Sequence, residues 1–315
     1  MVPEDRIGRW NPTYLDRNDR TENRVHEQLR LTGAWLQAPG MPIFEGRCTH
    51  DRRPDRKGRG NLKNDIKHRF LFEELVKRDF DRKYKGSFFG TAWSVLNPLM
   101  TLLIMRVVFG HFFGSAIPHF TTYLFCGTVV FNFFSESSSE GLTALISNAS
   151  IFSKVNVPKY LFLLSKNTQT FINFAITLCV FFLFCAIDGI AFTWKFLALV
   201  YPIIMLLVFN LGMGLILSAL YVFFRDMQYL WTVLTQFLLY VSAVFYSIDT
   251  FSDPVRNAFL LNPIYLFIRY FRKVVIDSAI PSLGFHVLMA VDTLVVLLLG
   301  IWNYRKYDTE FLYYI

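Results

Sequence analysis

No Gly-x-x-x-x-Gly-Lys-Ser/Thr run occurs anywhere in the chain, so it cannot cradle nucleotide phosphates in the P-loop manner. Cysteine is scarce. Cys48, Cys126, Cys179 and Cys185 have neither metal-ligand spacing nor the density of a small-domain disulfide framework. The six histidines are scattered, which leaves no Ser/His/Asp or Cys/His arrangement and no metal site to expect. The carboxylates of the polar N-terminal region lack an apolar frame that would raise a pKa for acid–base work. No internal repeat is visible. Together these absences argue that the chain is not an enzyme and carries no cofactor of its own.

What the chain has instead is apolar surface: 53% hydrophobic residues, 17% aromatic, 34 Phe among 315 residues and a mean hydropathy of +0.35. Such values point to a membrane. The net charge of +8 comes largely from the first third. Nucleic-acid binding is not expected, because it needs a folded basic face while most of this chain must sit in lipid. A helix needs about 20 apolar residues to cross a core of roughly 30 Å. Six runs are candidates: 96–113, 123–134 with a polar continuation, 160–185, 196–224, 229–245 and 285–302. The second is interrupted early by SESSSEG (135–141). The expected fold is therefore an all-α integral membrane protein with six transmembrane helices.

The connections set orientation. Segment 114–122 has no Lys or Arg, whereas 147–159 holds Lys154 and Lys159, the next turn holds Arg225, and the tail holds Arg305 and Lys306. The positive-inside tendency puts these basic turns, and both termini, in the cytoplasm. Segment 247–283 breaks the pattern with Arg256, Arg269, Arg272 and Lys273, and contains LNPIYLFIRYF, too short to cross. A re-entrant hairpin before the last span fits it. Residues 1–65 show no apolar core with a cleavage site, so no signal peptide is expected. Residues 1–64 read as a charged cytoplasmic tail, with short helical pieces around 22–36, ahead of a transmembrane domain over 65–315.

Over 67–80, Leu71, Phe72, Leu75, Val76 and Phe80 recur at helical offsets opposite Lys67, Glu74, Lys77, Arg78 and Asp81. This is an amphipathic helix suited to the headgroup plane, with imperfections at Asp79 and Lys83. Gly86 and Gly90 allow a corner, Trp93 anchors at the interface, and Pro98 falls near the first helical turn.

KRDFDRKYKGSFFGTAWSVLNPL (77–99) resembles the leading motif of the ABC type-2 permeases that export polysaccharides: O-antigen, capsule and teichoic acid. FNFFSESSSEG (131–141), FSKVNVPKYLFLLS (152–165), LSALYVFFRDMQYLWTVLTQFLLYVSAVFY (217–246) and LNPIYLFIRYFRKVV (261–275) resemble the family's later segments in the same order. The resemblance implies a homodimer enclosing a channel for a lipid-linked glycan in the bacterial inner membrane. It also implies two copies of a separate P-loop ATPase that bind the ATP and Mg. By the same resemblance Ser153, Lys154, Val155, Asn156, Val157 and Pro158 are the ATPase-coupling turn, joined by Arg225 and Asp226 and by Arg78 and Phe80 of the amphipathic helix.

Several residues are candidates for the channel. Arg106 lies about 15 Å along its helix from Leu96, near mid-membrane, where an ion is normally paired or wet. Asn132, Glu136 and Glu140 recur every four residues as a polar stripe. Arg106 and Glu136 either pair or both line the channel; in the family pattern Glu140 matches a usual acidic position and the other two are departures. Phe131, Phe133, Phe134, Tyr240, Phe245, Tyr246, Tyr265 and Phe267 are either ring walls for sugar C–H faces or ordinary membrane filler. Arg269, Arg272 and Lys273 of the gate hairpin meet headgroups or the substrate's lipid phosphate. Two rivals to polysaccharide export stay open: a permease for a drug or small lipid, and a membrane scaffold or assembly protein. An ion-coupled carrier acting alone would want intramembrane acids in paired halves, which this chain lacks.

Overall fold

Long segments with few internal glycines or prolines make helix the dominant local structure, and no strand occurs among the described residues. The computed structural model describes residues 57–84, 90–113, 118–152, 157–248, 251–308 and 311. The expected helical piece at 22–36, Cys48 and the coupling-turn residues Ser153, Lys154, Val155 and Asn156 lie outside them.

Helix α1 spans Lys57–Tyr84, ten residues earlier than its apolar period announced. A 3-10 turn at Gly90–Ala92, with Gly90 at φ 49°, leads into α2, Trp93–Phe113. The helix starts before Asn97, so Pro98 sits inside it and cannot donate to the Ser94 carbonyl. Then come α3 (Phe120–Ser147), the single turn α4 (Ala149–Phe152), α5 (Tyr160–Ile187), and α6 (Val200–Phe223) extended at its start by a 3-10 turn at Trp194–Leu199. Helices α7 (Met227–Val241), α8 (Asp253–Phe259), α9 (Pro263–Val275) and α10 (Leu283–Tyr307) complete the described chain.

Among the described residues, four stretches are long and apolar enough to cross a membrane: Trp93–Gly110, Tyr160–Ile187, Trp194–Phe223 and Leu283–Tyr307. The other two expected spans are helices that miss on one count each. Helix α7, with 15 residues, is about 22 Å long. Helix α3 has 28 residues but carries the polar run. SESSSEG does not interrupt it, because its polar groups find partners inside the bundle. Ser137 Oγ donates to Asn167 Oδ1 at 2.9 Å, and Ser138 Oγ accepts from Trp231 Nε1 at 3.1 Å. Asn167 in turn donates to the Leu207 carbonyl at 3.1 Å.

These bonds reflect the place of α3 at the centre, packed against α2, α5, α6, α7 and α9. Phe134 fills the middle, 6.1 Å from both Phe209 and Trp231 between ring centroids. Two glycine contacts let backbones approach closely. A Cβ on Gly141 would stand 2.8 Å from the Gly214 Cα, and one on Gly300 would stand 2.6 Å from the Gly212 carbonyl oxygen. Helix α6 is thus gripped between α3 and α10.

Helix α9 opens on a side-chain cap: Asn262 Oδ1 accepts from the Ile264 N–H at 3.0 Å, and Pro263 takes the first position. Its 13 residues reach about 20 Å, too short to cross.

Candidate functional site: a polar cavity between α2, α3 and α5

Helix α3 turns Asn132, Ser135, Glu136 and Ser139 to one side, facing Ser94, Asn97 and Thr101 of α2 and Asn173 of α5. Between them is a cavity of about 620 Å³. Phe133, Phe174 and Trp93 supply its rings. Its charged lining residues are Lys83 and Glu136, and they form an ion pair with each other. Glu136 Oε1 also accepts from Asn173 Nδ2 at 2.9 Å. Chemically the space offers hydroxyls, amides and ring faces, with its one acid already answered.

Lys83 belongs to α1, so the pair also ties that helix to the bundle. Further along α1, Asp79 is 4% exposed. Arg78 Nη2 reaches Asp79 Oδ1 at 2.7 Å and Asn148 Oδ1 at 2.7 Å. Lys166 of α5 lies 3.7 Å from Asp79 and 2.8 Å from Glu140. Leu75, with Leu71 beside it, packs on Val157, Leu161 and Phe162. What read in the sequence as a flaw at Asp79 and Lys83 is therefore the docking face, turned to α3 and α5 rather than to headgroups.

Residues 71–276, well over half the chain, match the ABC-2 type transporter family. The chain belongs to that family. It is a multi-pass membrane transport subunit rather than an enzyme, and works with a separate ATPase. It is 27% identical over 236 residues to the O-antigen export system permease protein RfbA of Myxococcus xanthus, covering 74% of this chain and 89% of that one. A Klebsiella pneumoniae protein of the same name is 26% identical over 244 residues, 76% and 94% of the two chains. The polysialic acid transport protein KpsM of Escherichia coli is 24% identical over 246 residues, with the same coverage.

The ABC-2 frame makes the placement of the expected residues informative. Asn132 and Glu136 line the cavity, while Glu140 turns to Lys166. Arg106 does not pair with Glu136: it is exposed on α2 and has no ion-pair partner among the described residues. Lys83 takes its place because α1 packs on α5 and so brings Lys83 to Glu136 of α3. Phe131, Phe134, Tyr265 and Phe267 are 5% exposed or less and belong to packed interior clusters, not to a wall. Phe245 is also buried, whereas Phe133 does line the cavity. Tyr240 is exposed, and its carbonyl accepts from the half-buried Tyr246 hydroxyl at 2.9 Å.

Arg272 is buried as well, contrary to a headgroup role. It donates to the Ala243 and Val244 carbonyls at 2.8 and 2.7 Å, with its guanidinium 3.5 Å over the Tyr123 ring. Ala243 has φ 50°, a left-handed conformation costly for a side chain with a Cβ. Arg272 holds that turn. Arg269 lies over the Phe285 ring at 5.9 Å and Lys273 is half-buried.

At the basic end, Arg225 and Asp226 are exposed between α6 and α7. Asp226 precedes α7 without capping it through its side chain, and Arg225 rests 5.9 Å from the Tyr221 ring. Val157 is buried beside Leu75, Pro158 is half-buried, and Phe80 is half-buried on α1. Lys159 ties the start of α5 to Asp308 at 3.1 Å. The Lys83–Glu136 and Asp79–Lys166 pairs were not legible in the sequence, since they join residues 53 and 87 positions apart in the chain (136 − 83 and 166 − 79).

Proposed function

We propose that this chain is the channel-forming permease of an ATP-driven exporter that moves a lipid-linked polysaccharide or related envelope glycan across the bacterial inner membrane. The observation that carries the reading is the cavity beside α3. Its walls combine neutral hydrogen-bonding groups and rings, with no unanswered acid among the lining residues. Such walls suit sugars, whose hydroxyls exchange hydrogen bonds and whose C–H faces slide over rings. O-antigen export by the RfbA relatives and polysialic acid transport by KpsM support the same substrate class.

In this reading α3 and α7 complete six crossings, α1 lies along the membrane surface, and α8 with α9 forms the re-entrant gate. Both termini lie in the cytoplasm. Two copies of the chain enclose the channel, with the exposed Arg106 of α2 turned toward it, and two P-loop ATPases bind from the cytoplasmic side. The ATPase pushes on Ser153 to Pro158, on Arg225 and Asp226, and on α1 through Arg78 and Phe80. Arg78 transmits that push because it bonds both Asp79 and Asn148. Purifying the tagged chain in mild detergent tests the assignment. A stoichiometric P-loop ATPase with co-purified lipid-linked saccharide is the expected result. A stable homo-oligomer without any ATPase contradicts it, and an ATPase with a non-saccharide lipid redirects the substrate.

A further inference from the structure

A second groove, of about 520 Å³, opens between α5, α6 and α10 at the end of the bundle that carries Lys159 and Arg305. Its floor is Leu164, Leu211, Leu215, Leu297 and Ile301. The rim is polar, formed by Tyr160, Tyr304, Arg305 and Asp308. Tyr304 is 8% exposed, and its hydroxyl has no hydrogen-bond partner among the described residues. A buried hydroxyl is ordinarily bonded, so this one has its donor uncommitted toward the groove it lines.

The charge on the rim says which kind. Asp308 is answered by Lys159 at 3.1 Å. Arg305 is exposed and has no ion pair among the described residues, which leaves the rim with one uncommitted positive charge. The level in the bilayer follows from the aromatics. Trp302 and Tyr160 are exposed beside the groove, and Lys306 lies 5.4 Å from the Trp302 ring. Aromatic rings with basic neighbours mark headgroup depth.

We propose that this groove is a binding site for one anionic phospholipid of the leaflet at the basic end of the bundle. One acyl chain lies along the leucine floor, and the phosphate sits between the Arg305 guanidinium and the Tyr304 hydroxyl. A free phosphate ion gains nothing from that floor. A zwitterionic lipid would bring its own cation beside Arg305.

Native mass spectrometry of the full chain in detergent, titrated with dioleoyl phosphatidylglycerol or dioleoyl phosphatidylcholine, tests the site. One phosphatidylglycerol per chain is retained about fivefold better than phosphatidylcholine, the discrimination expected of one basic residue near the surface. Arg305→Ala removes that preference and Tyr304→Phe weakens retention of both lipids. Lys306→Ala, which alters charge one residue away, leaves both unchanged. Equal retention of the two lipids by the unaltered chain overturns the proposal without recourse to any variant. So does a loss in Lys306→Ala as large as that in Arg305→Ala, which would mean general surface charge.

Discussion

Arg272 shows how a charge is kept inside this bundle. Its donors are spent on the carbonyls of Ala243 and Val244, and its plane on Tyr123. Removing the guanidinium leaves those two buried carbonyls without their donors, at about 1–3 kcal/mol each. Arg272→Ala is therefore expected to lower the apparent unfolding temperature sharply in detergent. Ala243→Gly, which relieves the left-handed strain, should raise stability by about 1 kcal/mol. An unaltered melt for Arg272→Ala would remove the carbonyl-holding role. The Lys83–Glu136 pair differs, being about a third exposed at each partner, with side-chain exposures of 38% and 31%. Its stability contribution is correspondingly small, on the order of 1 kcal/mol or less. Glu136→Gln should then reduce transport much more than it reduces stability, read by comparing export with the unfolding midpoint. At this scale the sequence announced the polar stripe at Asn132 and Glu136 but not the partner. Arg106 is the partner its mid-membrane depth suggests, whereas Lys83 arrives only when α1 docks.

Among the elements, α6 depends on contact with two neighbours at once. A Cβ on Gly300 would meet the Gly212 carbonyl at 2.6 Å, while one on Gly284, on the same helix, meets nothing within 4 Å. Gly300→Val should cost about 1–3 kcal/mol as overpacking. Gly284→Ala should stay within about 0.5 kcal/mol. Equal melting of the two variants would show that the α6–α10 contact is loose. The clamp between α1 and α5 gives a functional counterpart. Leu75→Asp, which puts a charge against Val157, Leu161 and Phe162, should leave ATP hydrolysis running while export falls. Export and hydrolysis falling together would instead mean lost assembly. Apolar period made α2, α5, α6 and α10 readable in advance, and helical offsets did the same for α1. The full length of α3 was not readable: SESSSEG has the composition of a loop. Only the bonds of Ser137 and Ser138 to Asn167 and Trp231 explain how a helix carries it.

Taken whole, the bundle bares apolar faces on α2, α7 and α10, the last through Val287, Val291, Leu294 and Leu298. Helix α2 exposes Leu103, Ile104, Val107 and Val108, and α7 exposes Tyr229, Leu230, Val233 and Phe237. Lipid and a second copy of the chain are the two environments that suit such faces, and the cavity opens against α2. The docked α1 connects that cavity to the basic end, where an ATPase would act. The most direct test is ATP-dependent export of a lipid-linked glycan by the chain reconstituted with its ATPase in vesicles, with Ser139→Trp as the probe. Ser139 is exposed on the cavity wall, so the indole occupies the space without disturbing the packed face of α3. The account predicts an assembled complex that still hydrolyses ATP but exports little glycan. Export by Ser139→Trp at the rate of the unaltered chain would contradict it, and would place the substrate path elsewhere.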